Sequence, residues 1–439
     1  MRKTLAINGG TPVRTEIFPG YNTIGAEEEA AVIRVLRSGV LSKFLGCWDE
    51  DFYGGPEVRA LEAEWATYFG AKHAVAVNSA TSGLYAAVGA SGISPGDEII
   101  VSPYTMSASA TAAIVYGAVP VFADVEEDYF CLDARRVEEL ITERTKAIIV
   151  VDLLGLPFDV DGITALARKY DLKVIEDCAQ APGARFAGRF AGTLADLGVY
   201  SLNYHKHIHT GEGGIVVTDD DLLAERVRLI RNHAEAVVDD MGVEDITNMV
   251  GFNFRMTEME AAVGREQLKK LPHLIEIRQL NAEYLSKGLS GLNGIEPPRV
   301  RSGATHAYYV MGFRFDEEKL GIDRHSFIAA VKAELPVSRL RETDGVLISE
   351  GYVKPLYLSA MYQRRIAFGR QGYPFTMCEH ARSVSYARGI CPVAEKLHEK
   401  ELFMTELMRP GMSRPDLDDV IEAFNKVYEY RSELQSSGR

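Results

Sequence analysis

The chain has 439 residues, 46% hydrophobic and 25% charged, the balance of a globular protein rather than a disordered or fibrous one. That length exceeds one ordinary core and predicts two domains. With 48 Lys and Arg against 62 Asp and Glu the formal charge is −14, which disfavours nucleic acid or an anionic membrane surface as the main partner.

From about residue 71 to 220, short Val- and Ile-rich runs alternate with amphipathic segments. The runs are His73–Val77, Glu98–Ser102, Pro120–Ala123, Ala147–Asp152, Lys173–Asp177, Leu197–Leu202 and Gly214–Thr218. Segments such as Ala134–Ile141 and Ile163–Lys169 carry a helical apolar stripe between them. This alternation predicts an α/β fold with a seven-stranded, mostly parallel sheet covered on both faces. The last two runs are joined by a loop rather than a helix, so one strand is expected to be antiparallel. Thr257-Glu258-Met259-Glu260 has capping-box spacing and starts a helix that continues to about Leu289. The pattern then changes to a strand at Ala307–Phe315, a helix at Asp323–Glu334 and a terminal helix at Asp416–Glu433. The expected division is an N-terminal arm and large domain over 1–274 and a smaller α+β domain over 275–439. Tyr362–Arg388 is polar and irregular and fits no element.

The cysteines (Cys47, Cys131, Cys178, Cys378 and Cys391) are odd in number and form no CxxC pair, which argues against a disulfide framework or zinc site. No signal-like apolar run follows Met1–Leu5, and no stretch approaches the roughly 20 apolar residues of a membrane span. A cytoplasmic protein with no membrane contact is expected.

Four segments could carry chemistry. Ser201 to Gly214 places Lys206 just after a strand and before Thr210-Gly211-Glu212-Gly213-Gly214, where glycines allow a sharp turn. A lysine there becomes a nucleophile if burial lowers its pKa; a solvated lysine beside a tight turn fits that segment equally well. Asp177, in Glu176-Asp177-Cys178-Ala179-Gln180-Ala181, falls at a strand's C-terminal end, the edge where α/β sheets gather ligands. A helix N-cap is the simpler role for it. Asn78-Ser79-Ala80-Thr81-Ser82-Gly83 opens a helix and could seat a phosphate on free N–H groups, or could be a plain cap. Asn253 and Arg255 precede the capped helix and could meet a phosphate or carboxylate, or simply line a surface loop. His205, His207 and His209 flank the lysine, but alternating histidines on a loop more often bond backbone than metal, so no metal is expected. Cys178 reads as a small buried residue.

Order and spacing together are more specific than any one segment. From Gly55-Pro56-Glu57-Val58, through Thr145-Lys146-Ala147-Ile148-Ile149, Glu176–Ala181, Ser201 with Lys206, Thr210–Gly214 and Asn253, to Thr257-Glu258, the chain resembles the DegT/StrS family of sugar aminotransferases, with a weaker echo at Cys391-Pro392-Val393-Ala394-Glu395. The resemblance implies the type I fold of enzymes dependent on pyridoxal 5′-phosphate (PLP). Lys206 would hold the cofactor as a Schiff base and shuttle a proton, and Asp177 would pair with the pyridinium nitrogen. Gln180 would lie against the ring near its phenolic oxygen. The Ala80 and Thr81 amides with the Thr81 and Ser201 hydroxyls would hold the phosphate, together with Asn253 of a neighbouring subunit, so that a homodimer shares its sites. In Pro103-Tyr104-Thr105-Met106 the family's ring-stacking aromatic is replaced by Met106, whose thioether is expected to take that place, with Tyr104 a minor candidate.

The implied reaction moves an amino group from glutamate or glutamine to a keto-sugar, expected to be nucleotide-linked, in two ping-pong half-reactions. Leu5–Arg14 resembles enzymes that aminate cyclic keto-polyols, which keeps a keto-cyclitol or small keto-phosphate acceptor open. PLP-dependent sugar dehydration is another reading, but such relatives often carry histidine in place of the motif lysine. A non-catalytic binding module would be expected to lack Lys206, Asp177 or the phosphate seat. No GxGxxG follows a first strand, which argues against a nicotinamide dehydrogenase. The stretch Glu350–Arg388 is longer than typical and could shape the acceptor pocket.

Overall fold

The computed structural model describes residues 4–337 and 347–435. Its centre is a seven-stranded sheet of β1 (His73–Val77), β2 (Glu98–Val101), β3 (Val119–Phe122), β4 (Thr145–Val151), β5 (Lys173–Asp177), β6 (Leu197–Ser201) and β7 (Gly214–Thr218), in the order β1-β7-β6-β5-β4-β2-β3. All seven predicted runs are present, displaced at their ends by two residues or fewer. Strands β3, β2, β4, β5 and β6 are parallel, whereas β7 runs antiparallel to both β6 and β1. The expected reversal is therefore β7, reached from β6 by the loop that carries Lys206. Most strand residues are buried, as a sheet covered on both faces requires.

Helices α1 (Ala26–Ser38), α2 (Pro56–Phe69), α3 (Ala80–Ala90), α4 (Ser107–Val115), α5 (Ala134–Leu140), α6 (Val160–Tyr170) and α7 (Asp221–Arg231) surround this sheet. The long α8 (Glu258–Leu289) starts at the predicted capping box: Glu260 N–H donates to Thr257 Oγ1 at 3.3 Å, and Thr257 N–H to Glu260 Oε2 at 2.8 Å. Helix α8 passes unbroken through 274 and 275. Its Leu268, Leu271 and Ile275 belong to the core of the large sheet, while Ala282, Leu285 and Leu289 belong to a second core. That core includes the antiparallel sheet of β8 (Ile295–Glu296), β9 (Met311–Phe315), β10 (Ile348–Glu350) and β11 (Leu402–Thr405), ordered β8-β9-β11-β10, and the helices α9 (Arg324–Ala333) and α10 (Arg414–Tyr430). Leu5 and Phe18 of the N-terminal arm pack in this second core. The segment after β10 returns to the large sheet, where Tyr357, Tyr362, Phe375 and Tyr386 pack around Phe122 at the edge strand β3. Polarity along 362–388 concealed this cluster, because its buried aromatics are spaced without a regular period.

Strand β9 begins four residues later than predicted. Residues 307–310 form an irregular passage whose Ala307 and Tyr309 N–H groups donate to Gly155 O (2.8 Å) and Leu154 O (3.0 Å). Gly155, at φ +109°, permits this approach: a Cβ there would stand 2.8 Å from Tyr308 N. The passage delivers Tyr309 to the C-terminal ends of the strands. Among the described residues no helix is long and apolar enough to cross a membrane.

Candidate active site

The C-terminal ends of the parallel strands open into a cavity of about 190 Å³, where an open α/β sheet places its ligand. Lys206, Asp177, Gln180, Ser201, Ala80, Thr81 and Met106 all line it. Sequence positions spread over more than a hundred residues thus meet in one place.

Asp177 is the last residue of β5 and is buried. Its Oδ2 accepts from Ser109 Oγ at 2.7 Å and its Oδ1 from Ala179 N–H at 3.2 Å. Burial pushes the carboxyl up from its ordinary range; the Ser109 hydroxyl, the Ala179 amide and the Lys206 charge pull it back. Lys206 follows β6 in a turn closed by its own N–H on Asn203 O at 2.9 Å. Its side chain is 8% exposed. The Nζ lies 4.3 Å from the centre of the Tyr309 ring and makes no salt bridge among the described residues. Loss of hydration lowers its pKa from 10.5 to about 8, against the opposing pull of Asp177. Of the two environments the sequence left open for this lysine, the buried one is observed and the solvated one is not.

Across the cavity, α3 begins with Ser79 as its N-cap, Ser79 Oγ accepting from Ser82 N–H at 3.0 Å. The N–H groups of Ala80 and Thr81 have no acceptor among the described residues and open toward the cavity with the positive end of the helix. Ser201 ends β6 beside them. Gly214 lets the start of β7 close against this turn, since a Cβ would lie 2.6 Å from Ala80 N.

Gln180 is fixed at both ends of its amide: Oε1 accepts from Leu154 N–H at 2.8 Å and Nε2 donates to Tyr352 Oη at 3.0 Å. Met106 stands at the cavity wall, 59% exposed. Tyr104 is fully buried away from the cavity, its hydroxyl accepting from Tyr352 N–H at 2.8 Å. Asn253 does not line this cavity. It is exposed on the strand-like passage before α8, with Oδ1 accepting from Arg255 Nε at 2.8 Å. Of the three histidines only His205 lines the cavity. His207 is buried, and burial holds it neutral, so its Nε2–H donates to Ala307 O at 3.0 Å. His209 is half-buried beside Gln267. Among the described residues no three His, Cys, Asp or Glu side chains are grouped to hold a metal. Cys178 is buried, and its thiol is pushed far up by burial.

Sequence reasoning missed Ser109, Thr105, Asn203, Glu212, Tyr309 and Tyr352 as lining or supporting residues. Ser109 sits on the first turn of α4, three residues past Met106, and that spacing was the available signal.

Comparison with known proteins decides the lineage. The model of the DegT/DnrJ/EryC1/StrS aminotransferase family matches residues 22–425. This chain belongs to that family. It is 33% identical to the L-glutamine:2-deoxy-scyllo-inosose aminotransferase of Streptomyces lividus, over 99% of this chain and 100% of the relative. It is 32% identical to the spore coat polysaccharide biosynthesis protein SpsC of Bacillus subtilis, over 92% and 95%. Among solved structures, Streptomyces venezuelae DesV in complex with a ketimine intermediate superimposes with a TM-score of 0.74 at 32% identity, covering 92% of this chain and 95% of that one. An aminotransferase from Psychrobacter cryohalolentis gives 0.78 at 29% identity, covering 94% and 99%. The chain is therefore a PLP-dependent aminotransferase of the DegT/StrS family, with the α/β fold its sequence predicted.

The cavity fits the cofactor of that family on its own chemistry. It offers one buried amine, one buried carboxylate and one set of open N–H groups, matching an aldehyde, a ring nitrogen and a phosphate. When bound, PLP supplies an electron sink for the carbanion at the substrate carbon.

Proposed function

We propose that this aminotransferase carries nitrogen from glutamine or glutamate to a keto-sugar or keto-cyclitol, with the roles of the cavity residues as follows. Lys206 holds the cofactor covalently and, when released, moves a proton at the substrate α-carbon. An amine with a pKa near 8 is neutral often enough at ordinary pH to do both. Asp177 faces the ring nitrogen as a carboxylate and keeps that nitrogen protonated. The Ala80 and Thr81 N–H groups and the Thr81 and Ser201 hydroxyls take the phosphate. Gln180, locked by Leu154 and Tyr352, borders the ring, and Met106 covers its outer face by a thioether contact. The observation that carries this reading is Lys206 itself, a lysine buried without a paired carboxylate in the same cavity as Asp177.

A cyclitol acceptor is supported by the end-to-end match to the inosose aminotransferase and by the resemblance of Leu5–Arg14. A nucleotide-linked keto-sugar is the runner-up. Lysine at position 206 speaks against dehydration. Offering purified enzyme a panel of keto-cyclitols and nucleotide keto-sugars with nitrogen-labelled glutamine decides between acceptors; label appearing in none of them would refute the transfer.

The shared homodimeric site is supported by Asn253, which is exposed and outside its own chain's cavity, and by the exposed apolar Met106, Tyr204 and Val250. Five free thiols suit a reducing, cytoplasmic setting.

A further inference from the structure

Behind Asp177 lie two acids that the reaction does not use. The register of β4 on β5 pairs Val150 with Glu176 and Val151 with Asp177, so Asp152, one residue beyond β4, lies diagonal to Glu176 on the same face. Both side chains are fully buried. Glu176 accepts Gly192 N–H on Oε1 at 2.6 Å and Leu194 N–H on Oε2 at 2.9 Å. Asp152 Oδ1 accepts Phe158 N–H at 3.0 Å, and beyond that the carboxyl meets only the weakly donating Cys178 thiol and Glu176 itself; no N–H or O–H reaches its buried Oδ2 among the described residues. The two carboxyls lie within hydrogen-bond reach of each other, which favours a proton on Asp152 and the ionised form of Glu176. Two carboxylates in dry contact repel, and a buried acceptor oxygen offered no N–H or O–H keeps most of the cost of its lost hydration, a thiol being a weak donor. A single proton removes both faults. Glu176 already receives an N–H on each oxygen, as an anion does, so the proton belongs on Asp152.

We propose that Asp152 is a protonated acid donating its hydrogen to Glu176, and that it acts as a positioning residue for Asp177. The link to Asp177 runs through the backbone: the main-chain N–H of Asp152 donates to the main-chain O of Asp177 at 3.1 Å, and Glu176, the partner of the Asp152 carboxyl, is the chain neighbour of Asp177. One proton on the pair removes one negative charge from behind the carboxylate that must stay ionised. The surroundings agree. Cys178 from the turn after β5, Cys131 ahead of α5 and Tyr200 on β6 face the pair as neutral groups, their pKa values pushed up by burial and by the acids themselves. Burial pushes the Glu176 carboxyl up as well, but the Gly192 amide, Asp152, the Leu194 amide and, last, Arg189 in the hairpin after β5 pull it back. Burial, then Glu176, push the Asp152 carboxyl well above its ordinary value.

The test is infrared difference spectroscopy of the holoenzyme, wild type against Asp152→Asn, with pH–rate profiles of both and of Asp152→Ala. The asparagine amide reproduces the donor and cannot ionise. The expected result is a protonated-carboxyl carbonyl band at neutral pH in wild type, absent from Asp152→Asn. That variant should turn over within about threefold of wild type, whereas Asp152→Ala loses at least tenfold. An alkaline fall in wild-type rate from Asp152 ionisation should be missing in Asp152→Asn. No such band in wild type, equal losses in the Asn and Ala variants, or an Asn variant that fails to fold overturns the proposal. The link to turnover rests on the role proposed for Asp177, but the infrared band does not, so the two can fail separately.

Discussion

Replacing Lys206 by methionine should make the cofactor-free protein more stable while destroying its activity. At neutral pH the buried ammonium lacks most of the water it holds in the unfolded chain. Its pKa drops from 10.5 to about 8, so burying the charged form costs about 3 kcal/mol. The sign follows from proton binding. Below pH 8 the amine is charged in both states and the whole cost applies. Between 8 and 10.5 the folded protein has released its proton while the unfolded chain still holds one, so wild-type stability rises with pH. Above 10.5 both are neutral and the cost is gone. Methionine has similar length and no charge, so Lys206→Met should gain about 3 kcal/mol at pH 7, discounted for any water that enters the cavity, and progressively less toward pH 10. Urea unfolding of the two cofactor-free proteins at pH 7 and pH 10 measures this directly. A destabilised methionine variant at pH 7, or a gain that does not shrink with pH, would show that the amine is not desolvated and would remove the physical basis of its reactivity.

If Asp177 faces the ring nitrogen as proposed, Asp177→Asn should lower kcat/KM on the order of 10²-fold or more by withdrawing the charge opposite that nitrogen, with the donor half-reaction followed by cofactor absorbance. Ser201→Ala should weaken cofactor retention by about 1–2 kcal/mol, about tenfold in Kd by titration, with little change in the saturated rate. Mixing inactive Lys206→Ala subunits with Asn253→Ala subunits of weakened cofactor retention should raise activity at limiting cofactor, because one site of a mixed dimer keeps both residues; no gain after confirmed subunit exchange contradicts the shared site. Because the raised Asp152 carboxyl is protonated in the fold above the pH at which the unfolded chain ionises, its contribution to stability falls as pH rises from 3.8 toward its folded value. Asp152→Asn should therefore be more stable than wild type at pH 7, with the gap closing toward pH 4 in thermal unfolding. Tyr362→Ala should cost about 3–5 kcal/mol if the segment after β10 is anchored on Phe122 as described.

Much of the large domain was legible because its strands are short, continuous apolar runs buried on both faces, and β1 and β5 fall where their residues alone place them. The cavity lining was legible where it follows a strand end directly, as at Asp177, Ser201 and Lys206, since chain order and sheet topology put those positions on one edge. Residues that arrive by tertiary packing were not. Tyr309 comes in on an irregular passage secured by Leu154 and Gly155, and Tyr352 on a segment whose aromatics have no period. Strands β10 and β11 were missed because three or four residues give no reliable alternation. The division near residue 275 falls inside α8, because one helix serves two cores and its sequence shows no break where allegiance changes.

The central claim is that one buried amine carries the cofactor. Reducing the holoenzyme with borohydride, digesting it and locating the pyridoxyl adduct by mass spectrometry tests that claim at a single residue. The adduct should fall on the peptide containing Lys206, at near one per chain. An adduct on any other lysine, or full activity in a protein that yields none, would contradict it.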